Sequence, residues 1–392
     1  MIIEYFLDWV RSATVEKRVE SAGALVRLYL RHDISDEESD DVEAAITTLL
    51  NDGSARVRRQ LALSFGAYPS APQHIVSSLA NDSLEISTIV LSQSPVFHDA
   101  ELAAIVREGN EKQQVAIACR PWLSEKLVET LISSSGREAC YAMLLNPAAN
   151  LSKSKLHELA GKFGQDTQIR NVLLEQFDLY AETRLLLMEE LGSQLTLMME
   201  NNRWVSEDRA EKAVADACER ASITFAAKSS DEDVCRIVRA RIVEGKLTTA
   251  YLLRAVCMGN ITLFAWALSE LSKIRYARVE AVLTKDRRHA FRAIYDRAGL
   301  PKEAFSIFQI AISTWRELLA SKSETNQSRL PFLVTQAVLS GYHEHSKITD
   351  DLLILLRKFS AEAARDCVNV KAIEIASRGQ VAEAVELEPA QE

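Results

Sequence analysis

PSAPQHIVSSLANDSLEISTIVLSQS (residues 69–94), PVFHDAELAAIVREGNEKQQVAIACR (95–120) and PWLSEKLVETLISSSGREACYAMLLN (121–146) are three consecutive segments of 26 residues, each opening on a proline, and Pro147 begins the next. Apolar columns keep the same register: Val76, Leu102 and Val128; Leu79, Ile105 and Leu131; Ile89, Val115 and Tyr141; Leu91, Ile117 and Met143. A fixed period of this size marks stacked units that bury their faces only against their neighbours. The period is too short for a strand-helix-strand crossover that also covers its own faces, so each unit reads as a pair of short helices.

Composition agrees with that reading. Of 392 residues 47% are hydrophobic and 26% charged, with 13 glycines and 8 prolines, the balance of a helix-rich globular chain. Apolar runs such as Ile261 to Leu268 are far shorter than a membrane-spanning helix needs, so no membrane insertion is expected. The first ten residues, Met1 to Val10, carry Glu4 and Asp8 and lack a basic start and a small-residue cleavage site, so they read as a helix and not as a signal peptide. A cytoplasmic protein is the expectation. The six cysteines (Cys119, Cys140, Cys218, Cys235, Cys257, Cys367) form no Cys-x-x-Cys pair, and core packing is expected of them in place of metal or disulfide chemistry.

Taken in order, residues 1–35 read as two capping helices and residues 36–200 as the repeat domain, whose helix pairs run 42–51 with 54–67, 72–80 with 83–93, 99–108 with 111–119, and 122–133 with 136–145. Polar corners divide each pair, and proline ends one helix and opens the next. The second helix of each pair is apolar nearly all round and is expected on the inside. The acidic run Asp36 to Asp41 behind Ser35 suits the positive end of a helix. Asn201 to Trp204 mark a change of module, and residues 201–320 read as an irregular helical module in which Gly245, Gly259 and Gly299 end helices. Residues 321–378 hold a polar linker and two terminal helices, and 379–392 read as a disordered acidic tail. The fold class is therefore all-α, a HEAT-like α-solenoid followed by an irregular helical module.

Asn51-Asp-Gly-Ser-Ala-Arg-Val-Arg-Arg-Gln-Leu-Ala-Leu63 resembles a HEAT repeat, with an aspartate corner before Val-Arg and an apolar-alanine helix. The period here is shorter than the usual one, which makes these trimmed HEAT-like units. The passage from Leu252 to Phe264, with Arg278-Val-Glu-Ala-Val282 and Arg297-Ala-Gly-Leu-Pro301, is similar to an uncharacterised alphaproteobacterial family of helical proteins, a domain of unknown function. That resemblance covers roughly residues 40–320. It implies an all-α fold and a bacterial cytosolic setting, and it supplies no catalytic residues.

No phosphate loop, nucleophile elbow or His-Glu-x-x-His is present, so no catalysis, metal or cofactor is expected. His343-Glu-His345 offers two imidazoles where a metal site needs three or four ligands. A non-enzymatic scaffold for protein-protein interaction fits best, with oligomeric state undetermined by the sequence. The alternative is a HEAT-like nucleic-acid binder of the DNA-repair type. Net charge is −9, which opposes that alternative unless basic residues are segregated, and Arg56, Arg58 and Arg59 form only a small patch. Residues 273–302 do segregate charge: nine Lys or Arg against three acids give +6, leaving −15 for the rest. Arg275 and Arg278 are read on one face of a helix, and Lys285, Arg288 and Arg292 as a stripe on the next. An acidic protein segment is the expected partner, the chain's own Glu383, Glu386 and Glu388 included.

Overall fold

The computed structural model describes residues 2–30, 35–285, 287–320, 329–342 and 350–386, and no strand occurs among them. The chain divides into two compact units, Met1–Leu179 and Tyr180–Glu392.

The first unit holds α1 (Ile2–Ser12), α2 (Val15–Tyr29), α3 (Asp36–Leu50), α4 (Ala55–Phe65), α5 (Gln73–Ala80), α6 (Leu84–Gln93), α7 (Asp99–Glu108), α8 (Glu111–Ala118), α9 (Glu125–Ser134), α10 (Arg137–Leu145), α11 (Lys153–Phe163) and α12 (Thr167–Gln176). Consecutive even-numbered helices pack on one another from α2 to α12, and odd-numbered helices form a second row through contacts such as α1 with α3 and α7 with α9. This is the stacked arrangement that the period demands. From Ile86 to Leu91, Gln113 to Ala118 and Ala139 to Leu144 no side chain is exposed, as an inner row requires. The columns Val76, Leu102, Val128 and Leu91, Ile117, Met143 are all buried.

Helix starts follow their caps. Ser35 accepts from the Glu38 amide while the Glu38 carboxylate accepts from the Ser35 amide, and Asn110 and Gln113 make the same reciprocal pair. The repeat prolines act in one way and not the other. Pro69, Pro95, Pro121 and Pro147 sit in the turns after the inner helices, ahead of the next helix and outside its first turn. What they impose is extended backbone on the residue before: Ser94 has ψ 124° and Asn146 ψ 114°. Those pre-proline positions also bind one repeat to another. Arg120, fully buried, donates to the carbonyls of Leu91 at 2.6 Å and Ser94 at 2.5 Å, and Asn146 donates to those of Ala118 at 2.8 Å and Arg120 at 2.7 Å.

Aspartates at the corners make a parallel ladder. Arg18 bonds Asp52 at 2.7 Å, Arg58 bonds Asp82 at 2.6 Å and Arg137 bonds Asp166 at 2.5 Å. Burial opposes ionisation of these carboxyls, but the guanidinium and backbone amide hydrogen bonds outweigh it and hold each below its ordinary 3.8.

In the second unit, α13 (Ala181–Asn201) and α14 (Glu207–Ala227) pack together, so Asn201 to Trp204, read from sequence as a module break, is the turn of this hairpin; the division lies ahead of α13. They are followed by α15 (Asp231–Val243), α16 (Thr249–Cys257), α17 (Ile261–Ser272), α18 (Tyr276–Thr284), α19 (Arg288–Arg297), a 3-10 turn at Lys302–Ala304, α20 (Phe305–Ala320), α21 (Leu330–Tyr342) and α22 (Asp350–Glu386). Helix α17 is central, packing against α14, α15, α16, α18 and α19 through Leu263, Phe264, Ala267 and Leu268, all buried. Phe264 stacks on Phe308 at 4.9 Å and Phe291 on Phe305 at 5.2 Å, while the Tyr295 hydroxyl donates to the Pro301 carbonyl and fixes the Ala298 to Pro301 turn. Gly259 has φ 84°, and a Cβ there would stand 1.9 Å from the Trp315 ring, whose Nε1 donates to Val256 O. No other residue fits that position. Residues 321–328 and 387–392, and with them the polar linker and the end of the acidic tail including Glu388, lie outside the described residues; the backbone is helical through Glu386.

Two outcomes follow from the first unit's packing. Leu91→Ala and Ile117→Ala each cost roughly 2–5 kcal/mol in urea unfolding, since both side chains are wholly buried. Because the ladder carboxyls have lowered pKa values, their stabilisation is complete above the unfolded value of 3.8 and is lost as pH falls through the folded values. The urea midpoint should therefore hold from neutrality to about pH 5 and fall steeply below about pH 4, with a shallower fall in Asp82→Asn.

Candidate interaction surfaces

The basic residues singled out in the sequence are all exposed, because the opposite sides of their helices are inward-facing. Val279, Val282 and Leu283 of α18 and Phe291, Ile294 and Tyr295 of α19 enter the core, which leaves Arg278, Arg288 and Arg292 outside. The helix boundaries differ from the sequence reading. Arg275 is the N-cap of α18, and Lys285 is its C-cap in extended conformation, so the stripe on α19 consists of Arg288 and Arg292 without Lys285. Arg292 is already engaged: it bonds Asp296 at 3.1 Å, and its guanidinium lies 4.4 Å from the Phe305 ring centroid. Arg275, Arg278, Lys285 and Arg288 have no ion pair among the described residues.

Other basic residues are neutralised. Arg56 pairs with Glu16, Arg58 with Asp82 and Arg59 with Glu85, so the patch on α4 offers no free row of cations. Arg254, 1% exposed, takes the Asp216 carbonyl and carboxylate at 3.1 Å, lies near Glu219 and Glu362, and covers the Phe359 ring at 4.7 Å. It ties α14, α16 and α22 together. Burial raises the Glu219 carboxyl pKa in spite of the nearby Arg254.

A second surface went unread in the sequence. A groove of about 810 Å³ opens within the second unit between α13 and α14, with the start of α16 as its third wall. Leu197, Val214, Ala215, Cys218 and Tyr251 line it, as do Glu200, Glu207 and Glu211. Its cations are spoken for: Arg241, 5% exposed, and Lys246 both bind Glu189. The only sequence signals for it were small residues along α14 and the apolar second half of α13.

The remaining candidates divide. Cys140, Cys235 and Cys257 are buried, but Cys119 is exposed and Cys218 and Cys367 are half-buried, so core packing describes half of the six. Burial pushes Cys140 up to about 11 and Cys257 up to about 12, which makes them unreactive at neutral pH. Of the tryptophans, Trp315 is buried, Trp9 and Trp266 are half-buried, and Trp122 and Trp204 are exposed. Among the described residues no three His, Cys, Asp or Glu side chains converge as metal ligands. His343-Glu-His345 lies outside them. No described helix is long and apolar enough to cross a membrane.

The model of a family described as an uncharacterised protein conserved in bacteria (DUF2336) matches residues 86–335, and the chain belongs to that family. No curated protein and no solved structure matches it.

Proposed function

We propose that this DUF2336 member is a non-enzymatic helical scaffold of the bacterial cytoplasm, and that an acidic segment of a partner protein docks on the basic face of α18 and α19. One observation supports this above the others: Arg275, Arg278, Lys285 and Arg288 are exposed on and at the ends of α18 and α19, two helices packed into the core, without a compensating carboxylate among the described residues. Guanidinium groups pair with carboxylates through two parallel hydrogen bonds, which suits an acidic peptide. The rest of the chain is net negative, so such a partner is steered to this face and away from others. The absence of catalysis rests on the sequence, which lacks every nucleophile and phosphate-loop motif sought. Nucleic-acid binding has less support, since the arginines on α4 are paired to acids.

Arg278→Glu with Arg288→Glu tests this face without disturbing the stacked Arg292. A labelled Glu-rich peptide of about 15 residues should bind wild type, and about ten-fold more weakly to the double variant, at unchanged melting temperature. Raising salt should act like the substitutions. Equal binding to both proteins, or tighter binding of duplex DNA than of the peptide, overturns the assignment.

A further inference from the structure

The groove on the α13-α14 hairpin carries a different chemistry from the basic face. The two helices touch at Gly192, where a Cβ would stand 2.7 Å from Cys218 Sγ and 3.0 Å from Val214 Cγ1. On the side of that contact nearer the hairpin turn, the groove lining runs on to Glu200 in α13 and begins at Glu207 in α14. Thr196, Leu197, Val214, Ala215, Cys218 and Tyr251 give the lining an uncharged, largely apolar part. Of its five acids, Glu200, Glu207 and Glu211 have no ion pair among the described residues, while Glu189 holds the groove's cations and Glu219 lies against Arg254. Leu197 and Trp204, 58% and 65% exposed, leave large apolar surface at the same end.

We propose that this groove docks a cationic amphipathic helix from a partner protein, its apolar stripe on the uncharged part of the lining and its Lys or Arg side chains against the three unpaired glutamates. A helix presents such a stripe at i, i+3, i+4 and i+7, and a groove of this volume takes the side chains of about two to three turns. An acidic or uncharged occupant leaves three carboxylates at a partly desolvated edge without compensation. The chain's own acidic tail carries the wrong sign. The basic face of a second copy does not fit, because the apolar sides of α18 and α19 are buried and leave no stripe to seat.

Two synthetic peptides of about 18 residues with identical leucine spacing, one carrying Lys and the other Glu at the polar positions, separate charge from shape. The Lys peptide should bind the full chain and the Glu peptide should not. Replacing Glu200, Glu207 and Glu211 together by Gln should weaken the Lys peptide by about ten-fold or more. Ala215→Trp, at an exposed position in the lining, should block it at unchanged melting temperature. The Arg278→Glu, Arg288→Glu protein should bind it as wild type does, which keeps this surface distinct from the basic face. Equal binding of the Glu peptide, no binding of the Lys peptide, Lys-peptide binding untouched by Ala215→Trp, or a dimer in sedimentation that Ala215→Trp dissociates each overturns the proposal.

Discussion

Short helices have too many ends. An α-helix leaves its last four carbonyls without partners inside the helix, and α8, with eight residues, has as many such groups as paired ones. Buried at the seam between two repeats, those carbonyls must be met by something other than water. In the first unit long side chains from the next helix, or from the next helix of the same row, meet them. Arg18 reaches the end of α1 at Ala13, Arg58 the end of α3 at Asp52, Arg120 the end of α6, Asn146 the end of α8, and Lys162 the carbonyls of Ile132, Ser133 and Ser135 at the end of α9. Four of these five side chains are cationic, which also suits the negative end of a helix dipole.

The same constraint explains why the units stack in one register. A hydrophobic face tolerates sliding by a helical turn, but a guanidinium held by two carbonyls does not. The apolar columns supply the driving force for stacking, and the captured carbonyls select the offset. In the second unit the helices are longer and the core is continuous around α17, so the carbonyl requirement is met singly: Trp315 takes Val256 O, and Asn260 takes Ile223 O. Its buried cations there mainly join carboxylates across helices, as Arg254 does with Asp216, Glu219 and Glu362, a role that Arg18 and Arg58 combine with carbonyl capture in the first unit. Both proposed docking surfaces lie in this second unit, where helix faces not consumed by stacking are left for partners.

Local signals carried most of the fold. Helix α7 spans the residues that the 26-residue period and its flanking turns predict, and the glycines read as helix ends, Gly245, Gly259 and Gly299, all have positive φ. The basic face was legible because nine Lys or Arg against three acids fall within 30 residues, while the helical spacing read for it holds on α19 only for Arg288 and Arg292. That Arg292 is stacked on Phe305 was not, since the ring arrives from another helix. The Ser94, Arg120 and Asn146 column shares a position before proline and no chemistry, so periodicity in hydrophobicity passes over it. The groove was missed for a related reason. Its walls come from α13, α14 and α16, and the polar turn between the first two looks like a boundary unless their contact at Gly192 is known.

Amide hydrogen exchange on the full chain carrying Arg120→Met is the most direct measurement of the register claim, because methionine keeps most of the volume and removes both donors. Loss of two charged hydrogen bonds should speed exchange through α6, α8 and α10 by about 100-fold, with protection in α17 unchanged. Protection in α6, α8 and α10 equal to that of the wild type would mean that apolar packing alone sets the register, contrary to the role assigned to the captured carbonyls.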